Sequence, residues 1–311
     1  MPTAAIDKLV IIGVGLIGGS FALALRKAKQ VTHIIGVGRS RNNMQRAHAM
    51  GAIDEIGTSL PSVLKDADLV FLATPVGQTE AVMARISPYL EPDTIVTDAG
   101  STKQNVIAAA RRQLSPHLRN FVPGHPIAGA EVSGAGAADA DLFQGRNIVL
   151  TPLAETGTAA ANRVAELWEA CGSRVHRMSA ARHDDILATV SHLPHMLAFA
   201  LMNHASLDRT HGIREPLSPP QSAPQPQDEL YEPLQFAGTG FRDMVRIAGS
   251  SPEMWRDICL ANGEALIRQI DAYQEELAAL RQMLASGDGK ELESSFSAAR
   301  DARQRWLENQ S

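Results

Sequence analysis

Short strand-like runs, some of them wholly apolar, alternate with stretches of helical periodicity over the first half of the chain. Leu9 to Ile12, His33 to Val37, Leu69 to Ala73, Ile95 to Thr97, Phe121 to Val122, Asn147 to Thr151 and Arg174 to Met178 read as strands, whereas Phe21 to Ala28, Asn42 to Met50, Val106 to Leu114 and Ala159 to Cys171 read as helices. A run such as LVFLA at 69 to 73, apolar without alternation, is what a strand buried on both faces requires. Strands that alternate with helices predict an α/β fold built on a doubly wound parallel sheet. From about Ser179 the pattern is helical alone. A boundary is therefore expected near residue 178, with an α/β domain over 1–178 and an all-α domain over 179–311.

Within the helical part, Arg182 to Leu207 carries Pro194, whose ring removes the bond to Val190 and predicts a kink. His192 and His195 flank that kink and, three residues apart, share a face. Glu215 to Glu232 holds five prolines and reads as a loop. Pro252 opens a long helix to about Ala285, in which Leu266, Ile270, Tyr273, Leu277, Leu280 and Leu284 alternate spacings of four and three. Such a seam needs a partner, either another helix of the same chain or, as the favoured one, the same helix of a second subunit. Glu291 to Gln304 reads as a final polar helix.

The first strand runs straight into Gly13, Gly15 and Gly18 at GxGxxG spacing, with Leu16 and Ile17 opening the helix that follows. Strand, tight turn and helix in that order make a dinucleotide-binding fingerprint: the first glycine permits the turn, the second admits a pyrophosphate, and the third lets helix and strand pack closely. An acid closing the second strand would accept bonds from the ribose hydroxyls of NAD. This chain has Arg39, Ser40 and Arg41 there instead. Two guanidiniums and a hydroxyl suit a 2′-phosphate, so NADP is favoured over NAD. As a solvated βα loop, the same residues would admit either cofactor. Thr74 and Pro75 end the strand from Leu69, at the sheet edge where ligands sit in open α/β folds. Ser101 falls near a helix N-terminus, where serine most often caps, and His125 falls on a loop at the same edge.

Composition narrows the partners. A chain of 311 residues that is 44% apolar can bury a sizeable core. Its net charge of −5 and lack of a long basic run give nucleic acid or an anionic membrane no evident surface, so a small-molecule partner is expected. Cys171 and Cys259 are the only cysteines, without CxxC spacing, which indicates neither a disulfide framework nor a thiolate zinc site. His192 and His195 with His125 could in principle hold zinc, but no acidic or thiolate partner is spaced to match, and no metal is expected. The first strand begins within ten residues of Met1, and no apolar run approaches the ~18 residues of a membrane span. A cytoplasmic protein is expected.

With DAGSTK at 98 to 103, GHPIAG at 124 to 129, SHLPH at 191 to 195 and GFRDMVRIA at 240 to 248, the chain resembles the prephenate dehydrogenase family, the cyclohexadienyl dehydrogenases of tyrosine biosynthesis. The resemblance implies a Rossmann-type dinucleotide-binding domain, a helical dimerisation domain, and a homodimer with the active site between the two domains. It implies oxidative decarboxylation: hydride leaves the ring carbon bearing the hydroxyl for the nicotinamide, while carbon dioxide departs from the opposite carbon. His125 would take the hydroxyl proton, and Ser101 would hold the same hydroxyl or His125 in place. Arg246 would bind a substrate carboxylate, with His195, His192, Trp255 and Glu131 beside the substrate. The chain departs from the family at Gly238-Thr239-Gly240, where a run of three glycines is common, and in its Pro/Gln-rich stretch. Arogenate, with an amine in place of the keto group, is an alternative substrate. A related β-hydroxyacid dehydrogenase would use a lysine of its second domain, but no lysine lies between Ser179 and Gly289. A non-catalytic NADP(H) sensor would keep the glycines and dispense with Ser101, His125 and Arg246.

Overall fold

A computed structural model describes residues 6–129, 134–206 and 232–308. The chain opens with β1 (Ile6–Ile12), α1 (Leu16–Lys27), β2 (Val31–Val37), α2 (Arg41–Ala49), β3 (Glu55–Ile56), α3 (Leu60–Leu64), β4 (Leu69–Leu72), α4 (Thr79–Ile86), β5 (Ile95–Asp98), α5 (Gln104–Gln113) and β6 (Phe121–Val122). These strands form one six-stranded sheet in the order β3-β2-β1-β4-β5-β6, parallel throughout. The chain reverses direction across the sheet between β1 and β4. Their carboxyl ends therefore diverge into a crevice, the usual place for a ligand in such a sheet.

The apolar runs are explained by helices on both faces. Leu9 and Ile11 of β1 and Leu69 and Phe71 of β4 join one buried cluster, whereas Val10, Ile12, Val70 and Leu72 join the other. On the first face Phe21, Phe71 and Trp168 meet, with the Phe21 ring centroid 4.5 Å from Phe71 and 4.4 Å from Trp168. Burying each such ring stabilises the fold by roughly 1.5–3 kcal/mol over leaving it exposed.

After β6 the strands leave the main sheet. β7 (Gly124–Pro126) pairs antiparallel with β8 (Asn147–Leu150), and β8 pairs parallel with β9 (Arg174–Arg177), which follows α6 (Thr158–Ala170). His125 thus sits on a strand, opposite Val149, and not on the loop its neighbours implied. Pro126 is tolerated there because β7 is an edge strand and needs no donor on its free side.

The helical part begins with α7 (Ala180–Leu187), a π turn at Ala188–His192, and α8 (Leu193–Ala205). Pro194 lies in the first turn of α8, so its missing N–H is absorbed by a widened turn without breaking the rod. By length and composition the run Ala180–Ala205 could cross a membrane, a longer apolar stretch than the sequence reading allowed. Its buried His183, Asp184 and His192 pack within the protein, and Asp184 bonds the backbone of Lys103. α9 (Glu232–Gln235), α10 (Thr239–Val245) and α11 (Pro252–Ala261) follow. The Pro/Gln-rich stretch at 215–232 lies outside the described residues, save Glu232.

The expected single helix from Pro252 is two, interrupted at Asn262. The chain through Gly263 forms one compact unit, and residues from Glu264 form a second. In the second, α12 (Gly263–Ser286) ends in a Schellman turn: Asp288 N–H donates to the Met283 carbonyl, and Gly287 has φ +69°. α13 (Gly289–Glu308) follows. The seam residues Leu277 and Leu284 are 49% and 67% exposed.

Candidate active site

The crevice between β1 and β4 is shaped by glycine. Gly13 has φ +101°, and a Cβ there would lie 2.5 Å from the Ala73 carbonyl oxygen, while one on Gly18 would lie 2.3 Å from the Gly13 oxygen. No larger residue fits either place. Gly15, by contrast, faces open space, and no side chain caps α1, so the N–H groups of its first turn, opened by Leu16 and Ile17, are left for a ligand. Across the crevice Thr74, just before Pro75, carries a buried hydroxyl that finds no partner among the described residues. This cradle fits a dinucleotide pyrophosphate.

At the end of β2, Ser40 caps α2, its Oγ accepting the Asn43 N–H at 3.3 Å, so the hydroxyl hydrogen remains to be donated. Arg39 and Arg41 flank it, exposed. The Asn43 amide donates to the Val14 carbonyl at 2.6 Å and accepts the Ala135 N–H at 2.7 Å. One side chain thereby joins the glycine loop to the segment that follows His125.

A buried polar network lies at the carboxyl end of β5. Asp98 accepts N–H bonds from Gly100 at 2.7 Å and Gly124 at 3.1 Å, tying the segments of Ser101 and His125 to one carboxylate. The Lys103 ammonium, with no exposed surface, donates to Asp98 and to the Gly124 carbonyl, each at 2.6 Å. Ser101 is half-buried and caps no helix. The first turn of α5 is capped from 80 residues away: Asp184 of α7 accepts the N–H of Lys103 at 2.8 Å and of Gln104 at 2.9 Å.

That carboxylate also orders two histidines. His183 Nδ1 lies 2.7 Å from Asp184 Oδ1, and His183 Nε2 lies 2.8 Å from His125 Nδ1. Burial alone would raise the Asp184 pKa, but the bonds from His183 and from the Gln104 and Lys103 N–H groups outweigh it and hold the carboxyl below its usual range. An ionised carboxylate can only accept, so His183 carries its proton on Nδ1 and offers the Nε2 lone pair. His125 then donates from Nδ1–H, and its Nε2 is left as an acceptor. Burial, reinforced by the neighbouring His183, Lys103 and His192, holds the His125 pKa well below the ordinary 6.5. The outcome is a neutral imidazole, fixed in tautomer and backed by a carboxylate, which is the arrangement a general base needs.

The π turn and α8 bring a histidine pair against an indole of α11. His195 stacks on Trp255 with centroids 3.6 Å apart, and its Nδ1 reaches the Ser191 carbonyl at 2.9 Å. His192 is 6.1 Å from the same indole. Arg246 lies in the short turn Arg246–Gly249, near enough for its charge to depress His195, although burial is the larger cause there. Glu131 lies outside the described residues. The structure thus brings His125, His192, His195, Trp255 and Arg246 into one neighbourhood.

His183, Asp184, Lys103 and Asp98 were not singled out in the sequence. A signal existed for two of them: His183 and Leu187, and Asp184, Ala188 and His192, recur at helical spacing on the buried face of an apolar run.

Residues 21–177 match the nucleotide-binding domain of prephenate dehydrogenase, and residues 179–218 and 221–298 match its dimerization domain. The chain is 35% identical over 295 residues to the cyclohexadienyl dehydrogenase of Zymomonas mobilis, spanning 95% of this chain and 94% of that one. It is 35% identical over 300 residues to the prephenate dehydrogenase of Bacillus subtilis, spanning 96% of this chain and 75% of the relative. Among solved structures, the Aquifex aeolicus prephenate dehydrogenase in complex with hydroxyphenyl propionate and NAD+ superimposes with a TM-score of 0.85 at 32% identity, covering 97% of this chain and 99% of that one. With both domain types matched in order and the fold shared end to end, the chain belongs to the prephenate dehydrogenase family.

Proposed function

We propose that this protein oxidises and decarboxylates prephenate to 4-hydroxyphenylpyruvate, on the route to L-tyrosine, and takes NADP in preference to NAD. The observation that carries the reading is the Asp184, His183, His125 chain, which leaves Nε2 of His125 as an uncharged acceptor. The ring hydroxyl is bound by Ser101 and His125, and His125 Nε2 takes its proton. Bound at the glycine loop, the dinucleotide supplies the acceptor for the hydride lost from the ring carbon. As the ring carboxylate departs as carbon dioxide, the electron pair it leaves makes the ring aromatic, and the oxygen recovers its proton from His125. Asp184, acting through His183, steadies the positive charge that His125 carries in between. Arg246 holds a carboxylate of the substrate by charge-assisted bonds.

The cofactor preference is supported by Arg39, Arg41 and the free donor of Ser40 at the end of β2, where no acid is present to receive a ribose hydroxyl. The seam of α12, with Leu277 and Leu284 exposed, supports a homodimer through the carboxyl-terminal helices, and membership of the family supports a cytoplasmic biosynthetic role. Arogenate is the alternative substrate, since its carboxylates and ring hydroxyl offer the same handles.

The deciding experiment is the initial rate of nicotinamide reduction, with prephenate and arogenate each paired with NAD and NADP. Prephenate turned over faster with NADP is the expected result. Turnover with arogenate alone would change the substrate, and silence in all four pairs would overturn the enzymatic reading. Arg246→Ala is expected to raise KM for prephenate by about tenfold or more with a smaller change in kcat, the mark of lost ground-state binding. A loss confined to kcat would reject the carboxylate role.

A further inference from the structure

Asn262, the residue at which the long helix breaks, is buried and joins both histidine rows. Its Nδ2 lies 2.8 Å from the Asp184 backbone carbonyl and 3.1 Å from His192 Nδ1. A carbonyl oxygen can only accept, so the group facing it is the amide NH2. The second hydrogen of that NH2 points to His192, and Nδ1 of His192 is therefore the acceptor. The ring proton must sit on Nε2.

His192 is 1% exposed, and its Nε2 meets no partner among the described residues. The indole Nε1 of Trp255 is likewise buried and unpartnered. Two buried N–H donors without partners among the described residues, on rings whose centroids are 6.1 Å apart, are an unfavourable arrangement unless an acceptor-rich group reaches them, and a carboxylate offers two oxygens. Burial, with His183 and His195 opposing Asp184, draws the His192 pKa down to about 4, so the ring is neutral near pH 7. His125 and His192 are thus two uncharged imidazoles of opposite polarity at Nε2, one an acceptor and the other a donor. Each is set from behind, one by an acceptor at Nδ1 and the other by a donor.

We infer that Asn262 is a positioning residue that fixes His192 as the Nε2–H tautomer, and that this buried N–H donates to a carboxylate oxygen of the substrate. The inference rests on the proposed activity only for the identity of that oxygen.

The test reads the tautomer directly. In imidazole 15N–1H correlation spectra of the histidine-labelled full chain, with His192 assigned by its loss in His192→Gln, the expected pattern is a protonated Nε2 and a bare Nδ1 at neutral pH. On titration with hydroxyphenyl propionate, the His192 Nε2 proton is expected to move downfield. Asn262→Ala is expected to mix the two tautomers and to raise KM for prephenate about tenfold, with kcat within about twofold. A proton on Nδ1 in the wild type overturns the inference. So does a His192 resonance that stays still while others shift with the added acid, or an unchanged KM in a folded Asn262→Ala. If no resonance responds to the acid while the tautomer is as expected, the proposed substrate class fails and the Asn262 assignment stands.

Discussion

His125→Asn is expected to lower kcat by about 10³-fold while leaving KM for prephenate within a few-fold. The asparagine amide can take over the Nδ1–H position and still donate to His183 Nε2, so the buried chain to Asp184 keeps its geometry. What it lacks is the lone pair of Nε2. The variant therefore separates the proton acceptor from the scaffold that holds it, and a kcat within tenfold of wild type would remove His125 from the chemistry. The pH profile carries the same argument with a definite sign. His125 must be uncharged to accept a proton, and its pKa is held well below the ordinary 6.5, first by burial and then by the charges around it. Activity is lost only as the pH falls through that lowered value. The wild-type kcat/KM should hence stay level down through 6.5, and an acid limb centred at or above that value would contradict the burial argument.

Lys103→Met is expected to lower unfolding free energy by about 3–5 kcal/mol, as breaking one side of a buried ion pair does. Methionine nearly fills the space of the lysine stem, so a packing defect is not the main cause. Asp98 would keep its bonds from Gly100 and Gly124 but would sit charged, 1% exposed, without its cation. The Gly124 carbonyl would also lose a donor, one residue before His125. Urea unfolding measures the loss. Adding Asp98→Asn should restore a substantial part of it, because the stranded charge is removed. A single variant that loses less than about 1 kcal/mol would show the pair to be a minor contributor.

The parallel sheet and the glycine turn could be read from the chain because their causes are local. An apolar run as long as one strand, and three glycines at fixed spacing, constrain only their immediate neighbours. The strand β7 was not legible, since Gly124-His125-Pro126 becomes extended only by pairing with Asn147–Leu150, over twenty residues on. Ser101 looked like a cap for the same reason that the real cap was hidden: serine before a helix is a local signal, whereas Asp184 reaches α5 from a distant helix. The break at Asn262 was masked by the strong seam beginning at Leu266, which made one helix seem sufficient. Of the candidate site, motifs point to His125, His192, His195, Trp255 and Arg246, whereas His183, Asp184 and Asn262, which set the protonation of two of those rings, belong to no such motif. A tautomer is fixed by what lies behind a ring, and that is a tertiary fact.

The carboxylate of Asp184 gives this architecture a limited modularity. It belongs to the first helix after the last strand, yet it terminates a helix of the nucleotide-binding fold and sets the polarity of that fold's histidine. Cut after residue 178, the sheet would retain its glycine loop and its crevice but would expose the N–H groups of Lys103 and Gln104 and free the His125 ring to choose its tautomer. The nucleotide-binding loop would thus be portable between chains, and the fixed tautomer of His125 would not. A chimera that grafts this nucleotide-binding half onto a foreign helical partner would inherit the glycine loop and lose the ordered histidine unless an acid came with the graft at the same place.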